Sequence, residues 1–151
     1  RRQRQMCIRD RAEVGYFDPA LDGGTASLSG GDQEFFYRVL LLGFQAVYEP
    51  GALVWHRHRR EWKALRDTIY GYGVGLFAWW TCALTQKRDL QVLKLSLWWF
   101  GSHVIKQALH AFLRRPGSIP LDLALAELFG SIYGPYAYLR ARQEANRPMS
   151  T

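Results

Sequence analysis

Cysteine is nearly absent from the sequence, which contains only Cys7 and Cys82 among its 151 residues. This scarcity excludes a disulfide framework and a cysteine-rich zinc site, and it fits a reducing, cytoplasmic compartment. Cys82 stands alone in an apolar run. We therefore expect a small buried hydrophobic residue there rather than a nucleophile or a metal ligand.

Long stretches without charge are also rare. One runs from Thr68 to Gln86, near the lower length limit for a membrane span. The later apolar segments are interrupted at Lys94, Lys106, Asp122 and Glu127. With tryptophan, tyrosine and basic residues nearby, these segments predict helices that lie in the plane of a membrane surface or insert shallowly. Ordinary soluble packing and a true span are the alternatives.

The basic charge of the chain is concentrated at its start. Residues 1–11 carry five arginines and one aspartate, so the formal net charge of +7 falls to +3 without them. This leader resembles a translated transposase-type sequencing adapter, codon by codon through Asp10. We expect it to be non-biological, the alternative being a basic arm for membranes or nucleic acid. Without it, composition gives little support for a nucleic-acid partner.

One carboxylate stands on a glycine-rich turn at the start of a predicted helix. Gly30-Gly31-Asp32 precedes apolar residues at helical spacing, and Gly43 supplies a left-handed stop, which predicts a helix over about 32–42. Two glycines would leave room for a substrate hydroxyl beside Asp32. The alternative is a plain helix start, since Ser29 and Asp32 fit a capping box.

Two short extended runs follow that helix. Residues 44–48 and 52–55 predict strands on either side of a Glu49-Pro50-Gly51 turn. His56 and His58 come next, and residues two apart on a strand point to the same face, so both imidazoles could enter one site. The alternative is a solvated basic surface, because arginines surround both histidines.

Taken together, these motifs resemble the C-terminal half of a family 2 glycosyltransferase of the GT-A fold. The matching segments are Gly15-Tyr16-Phe17-Asp18-Pro19-Ala20-Leu21, Gly24-Thr25, Gly30-Gly31-Asp32-Gln33-Glu34, Phe36-Tyr37-Arg38-Val39-Leu40, Gly43-Phe44, Val47-Tyr48-Glu49-Pro50 and His56-Arg57-His58-Arg59. The implied fold is an α+β fragment, mainly helical. It consists of a GT-A α/β remnant over 12–60 followed by about three amphipathic or membrane-surface helices over 61–151.

The resemblance implies a role for each site residue. Asp32 matches the general base of an inverting sugar transfer, and His56 matches a ligand of a divalent cation, Mg²⁺ or Mn²⁺. Arg59 becomes a candidate phosphate contact. The substrate side would comprise Gly30, Gly31, Thr25, His58 and Arg59. Glu34 and Arg38 lie four apart on the predicted helix, and we expect them to form a surface or helix-to-loop ion pair.

The resemblance also implies partners, and one of its expected parts is missing. The donor would be a nucleotide sugar and the acceptor a glycan or a lipid-linked hydroxyl, in cell-envelope polysaccharide or glycan synthesis. The family's Asp-x-Asp motif occurs nowhere in the sequence. We therefore expect an N-terminally truncated chain, inactive alone, with most of the cation site in the absent half.

The segment after residue 60 predicts three helices, at 61–86, 90–113 and 121–143. Small residues between Tyr70 and Leu76 would let another helix approach closely. The expected location is the cytoplasmic face of the cell membrane, peripheral or monotopic, or alternatively the cytoplasm. The alternative function is a non-catalytic, membrane-associated helical interaction module, in which Asp32 is only a cap.

Overall fold

The computed structural model describes residues 13–45, 47–55 and 60–147, and this part of the chain is helical. A short 3-10 helix, Pro19–Leu21, precedes the first α-helix, and a π-helical segment, Phe100–Ile105, joins the third to the fourth. The α-helices are α1 (Gly31–Leu41), α2 (Trp62–Lys87), α3 (Leu90–Trp99), α4 (Lys106–Phe112) and α5 (Leu121–Ala145).

The helices predicted from apolar spacing are confirmed, with ends that differ by a few residues. The stop of α1 follows the predicted mechanism: Gly43 has a φ of 81°. Its N–H donates to the carbonyl of Leu40 at 3.0 Å, and the N–H of Phe44 donates to that of Val39 at 3.2 Å. These two bonds form a Schellman motif, which satisfies carbonyls that the helix end leaves open.

The predicted strands at 44–48 and 52–55 are wrong. The described residues of these runs adopt no strand, and neither does any other residue in the described part of the chain. A strand is stable only where a neighbour pairs with its backbone groups and packs on one face. Here Val47, Tyr48 and Leu53 are 84%, 88% and 80% exposed. The helical architecture therefore contradicts the expected α+β class and the remnant of a GT-A α/β domain.

Helices α2 and α5 pack backbone against backbone. A Cβ added to Gly73 would lie 2.6 Å from the carbonyl oxygen of Glu127, and one added to Gly134 would lie 2.6 Å from that of Val74. A Cβ at Gly130 would likewise meet the carbonyl oxygen of Tyr70. Only glycine permits this approach, so the expectation that small residues in α2 admit another helix is confirmed.

The contact of Gly73 in α2 with α5, and of Gly130 and Gly134 in α5 with α2, is called the glycine seam here. The core lies along this seam and extends towards α3. Val74, Ala78, Ala137 and Tyr138 are fully buried where α2 meets α5. A second cluster joins α2 to α3 and to the π segment; it contains Phe77, Trp80, Ala83, Val92 and Val104. Helices α1, α3 and α5 therefore all pack on α2, whereas α4 packs on α5.

Helix α3, the π segment and α4 follow one another without a break and form the α3–α4 rod. The π segment keeps one face of this rod in the core. In a regular α-helix, Val104 would lie about 120° around the axis from Val92. Both side chains are nevertheless buried, at 1% and 6% exposure. The wider π turn between them absorbs the difference in phase.

Within the described residues, no helix combines the length and the apolar character needed to cross a bilayer.

Helix α1 is attached to this frame by Tyr37. Its hydroxyl donates to Oδ2 of Asp89 at 2.6 Å, and its ring meets Trp79 edge to face at 5.9 Å. Burial and the Asp89 carboxylate raise the pKa of Tyr37 to about 12, and the Tyr37 hydrogen bond is the main cause that lowers the pKa of Asp89. The protonated phenol therefore connects α1 to the turn between α2 and α3.

We predict that adding a side chain in the glycine seam lowers the stability of the fold. Gly73→Ala should lower the free energy of unfolding by about 1–3 kcal/mol, because its methyl group meets rigid backbone of α5. Gly101→Ala is the matched control, since a Cβ there has no neighbour within 4 Å; it should change stability by less than about 1 kcal/mol. Urea unfolding measures both, and equal effects would contradict close packing at Gly73.

We predict a loss of stability at alkaline pH that depends on Tyr37. The folded-state pKa of Tyr37 lies above its ordinary value of 10, so its contribution is complete below pH 10 and falls as the pH rises towards about 12. Chemical denaturation between pH 9 and 12 should show a smaller decline for Tyr37→Phe than for the unmodified protein. Replacement of the exposed Tyr136 by Phe should leave the decline unchanged.

Candidate functional site

The turn before α1 is docked on α2 through its glycines. Gly30 has a φ of 111°, a left-handed conformation that favours glycine. A Cβ there would lie 2.7 Å from the carbonyl oxygen of Gly75, and one on Gly31 would lie 2.8 Å from that of Leu21. The hydroxyl of Ser29 donates to the carbonyl of Gly71 at 3.0 Å. The absent side chains therefore allow close packing against α2 and the 3-10 helix.

This packing corrects one expectation about the turn and one of the alternatives to it. The glycines were expected to clear space beside Asp32, but the positions their side chains would take are filled by backbone of Leu21 and Gly75. The capping box is wrong as well, because the N-cap of α1 is Gly30, without a side-chain cap hydrogen bond. The Ser29 hydroxyl bonds to α2 instead of to the end of α1.

Asp32 lies in the first turn of α1 with an exposed side chain. Among the described residues its carboxylate has neither a hydrogen bond nor an ion pair. It borders an open cavity of about 500 Å³. The cavity is lined by aromatic and aliphatic side chains together with acidic and hydroxyl groups, among them Phe17, Asp18, Leu21, Asp22, Leu28, Ser29 and Tyr72. A solvated carboxylate next to an amphipathic cavity can accept a proton from a bound hydroxyl group.

The other predicted site residues fall into two groups. Gly30 and Gly31 line the same cavity as Asp32. Thr25 does not line it; its hydroxyl donates to the carbonyl of Asp22 at 2.8 Å and accepts from the N–H of Ser27 at 3.2 Å, so it stabilises its own loop. His56, His58 and Arg59 lie outside the described residues.

The predicted pair of Glu34 and Arg38 is formed, and it is buried rather than on the surface. Arg38 Nε lies 2.6 Å from Glu34 Oε1, with side-chain exposures of 12% and 5%. The same guanidinium donates to the carbonyls of Val14 and Tyr16, the latter at 2.7 Å. Arg38 therefore fastens the segment before the 3-10 helix to α1, although neither Glu34 nor Arg38 lines the cavity beside Asp32.

A polar network behind the site escaped prediction from the sequence. Asp18 caps the 3-10 helix by accepting from the N–H of Ala20 at 2.9 Å. Its other oxygen accepts from the thiol of Cys82 at 3.4 Å and from the hydroxyl of Tyr138 at 3.3 Å. Arg142 in turn donates to the Tyr138 hydroxyl at 2.9 Å. Burial raises the pKa of Cys82 to about 12 and also raises that of Tyr138.

The signals for these missed residues differ. An Asp-Pro pair at a helix start was visible at Asp18 and Pro19, and it could have identified the cap. Tyr72 and Tyr138 carried no local signal, because each reaches the site only through helix packing. Cys82 is a buried small residue, as expected, since it is 3% exposed.

The described residues do not by themselves provide a cation site. No group of three or more histidine, cysteine, aspartate or glutamate side chains in this part of the chain is arranged to hold a metal ion. The nearby carboxylates already have partners, Asp18 in its network and Asp22 with the N–H of Gly23 at 2.6 Å.

Comparison with known proteins gives no relative, since no family model, curated protein or solved structure matches the chain.

We predict that Cys82 is chemically inert in the folded protein. With Cys7→Ser as background, its reaction with a disulfide reagent at pH 8 should be at least about a hundredfold slower than in denaturant, because thiolate is scarce when the pKa is near 12. Absorbance of the released thiol measures the rate. Tyr138→Phe removes a hydrogen bond that lowers the pKa of Cys82, so it should slow the reaction further; fast labelling of the unmodified fold would contradict the buried network.

Proposed function

We propose that the chain supplies the acceptor side of an inverting glycosyl transfer, with Asp32 as the general base. The observation that carries the proposal is the exposed Asp32 carboxylate at the edge of the cavity, without a hydrogen bond or ion pair to other described residues. The motifs that resemble family 2 glycosyltransferases support it, because Asp32 takes the position of their base.

In the proposed reaction, the acceptor hydroxyl attacks the anomeric carbon of a nucleotide sugar. The new glycosidic bond forms as the bond from that carbon to the phosphate oxygen breaks, and the nucleoside diphosphate leaves with the electron pair. Asp32 takes the proton of the hydroxyl, an effect worth about 10² to 10⁴ in rate.

The cavity fits a hydroxyl-bearing acceptor. Tyr72 and Phe17 offer aromatic surface, and Ser29 and Asp22 offer polar groups on the same wall. Apolar surface combined with a few polar groups is typical of small-molecule sites. The proposed acceptor is a glycan or a lipid-linked glycan, and the proposed setting is cell-envelope polysaccharide synthesis at the cytoplasmic face of a membrane.

A divalent cation, Mg²⁺ or Mn²⁺, remains part of the proposal, with His56 as a ligand. No step above depends on it, because the described residues do not form its site. His56→Ala should abolish cation-dependent binding of the donor nucleotide sugar, measured by calorimetry with and without Mn²⁺. Unchanged cation dependence would remove His56 from the proposal.

The second candidate is the non-catalytic helical module associated with a membrane. It is favoured by a different observation, the many large apolar side chains that the helices expose, such as Leu97, Trp98 and Phe112. The two candidates differ in the role of Asp32. If the reading frame upstream encodes an Asp-x-Asp motif in a nucleotide-binding domain, the transfer is favoured; an upstream frame without one favours the module.

Asp32→Asn tests the base directly. In the product of the complete gene, this variant should lose at least about a hundredfold in sugar transfer, because an amide does not accept the proton. Asp67→Asn is the matched control, an exposed aspartate of α2 that does not line the cavity, and its rate should stay within a few fold of the unmodified protein. Transfer is measured with radiolabelled nucleotide sugars, and thermal unfolding confirms that both variants fold. Substantial transfer by Asp32→Asn would exclude Asp32 as the base.

A further inference from the structure

The α3–α4 rod exposes a row of large apolar side chains, interrupted only at the π segment around Gly101. The row consists of Leu90, Leu93, Leu97, Ile105, Leu109 and Phe112, with 41–70% of each side chain exposed. Their spacing of three, four, eight, four and three residues places them along one side of the rod, turned away from Val92 and Val104 in the core. We call this row the apolar stripe. It is about 30 Å long at 1.5 Å per residue.

The stripe is bordered by cationic and aromatic residues. Lys94, Trp98 and Lys106 recur at four and eight residues, and all three are exposed. Arg114 and Arg115 follow at the end of α4, and both are exposed. Between Asp89 and Asp122 the sequence contains no acidic residue. Four positive charges therefore accompany the stripe without a negative charge beside them in sequence.

This charge pattern decides between two occupants of the stripe. A symmetric second copy would bring each lysine close to lysines of its partner, since a twofold interface places the same patch on both sides. A bilayer with anionic lipid headgroups instead attracts every one of these charges. Trp98 fits the same boundary, because an indole ring favours the region between lipid headgroups and acyl chains.

We propose that the apolar stripe lies in the plane of an anionic lipid bilayer, with Lys94, Lys106, Arg114 and Arg115 at the headgroups. The stripe enters the boundary of the acyl chains, and the helix axis runs parallel to the membrane. This inference rests on the membrane association in the proposed function and identifies its lipid class and contact face. It does not depend on Asp32.

Vesicle flotation with the full chain tests the proposal. The protein should bind vesicles of phosphatidylcholine and phosphatidylglycerol more tightly than phosphatidylcholine alone, and high salt should weaken binding. Leu97→Glu combined with Leu109→Glu should lower the partition coefficient by about tenfold or more. Leu41→Glu is the matched control, since Leu41 is 59% exposed on α1; it should bind like the unmodified protein.

The charges are tested separately. Lys94→Glu combined with Lys106→Glu should lower binding to the anionic vesicles by about tenfold and leave binding to phosphatidylcholine unchanged. Asp32→Asn should bind vesicles normally, so a failure of the transfer reaction is distinguishable from a failure of membrane binding. Circular dichroism verifies that the variants keep their helices.

A measurement in the folded, unmodified protein removes dependence on the glutamate variants. Brominated lipids should quench tryptophan fluorescence, and Trp98→Phe should reduce the quenched fraction because Trp98 lies at the acyl boundary. The proposal is overturned if the protein does not bind vesicles, or if Leu41→Glu loses as much vesicle binding as the stripe variant. It is also overturned if Trp98→Phe leaves the quenched fraction of tryptophan fluorescence unchanged. It is also overturned by a dimer in sedimentation that the stripe variant dissociates, which would assign the stripe to a second copy.

Discussion

Backbone contact between α2 and its neighbours is the constraint on which the rest of the structure depends. Gly73 faces α5, while Gly75, two residues later, faces the turn at Ser29 and Gly30. Residues two apart on a helix point in widely different directions, so one short stretch of α2 receives two different elements. Larger side chains at either position would separate those elements and open the core between them.

The polar interactions complement this packing by joining segments that are distant in sequence. Arg38 connects α1 to the residues before the 3-10 helix, and Asp18 connects that helix to α2 and α5. Buried groups of this kind stabilise a fold only when they are paired. These bonds hold together the segments on either side of the turn that carries Asp32.

The helices were predictable from the sequence, whereas the strands and most of the site were not. Gly43 and the periodic apolar residues are local signals, and they predicted both ends of α1 to within one residue. The runs around Val47 and Leu53 also have a local preference for extended structure, but a strand requires a partner that no local pattern specifies. Likewise, Asp32 was identifiable from its motif, while Tyr72 and Asp18 join it only because α2 and the 3-10 helix pack beside the turn.

The π segment has a consequence for orientation. It fixes the rotational phase of the α3–α4 rod, so the side of the rod that carries Leu97 and Leu109 has a set direction relative to α2. Because the turn bearing Asp32 is docked on α2 as well, α2 positions both the cavity and the outer side of the rod. A surface that binds the rod would therefore set both the distance and the orientation of the cavity relative to that surface.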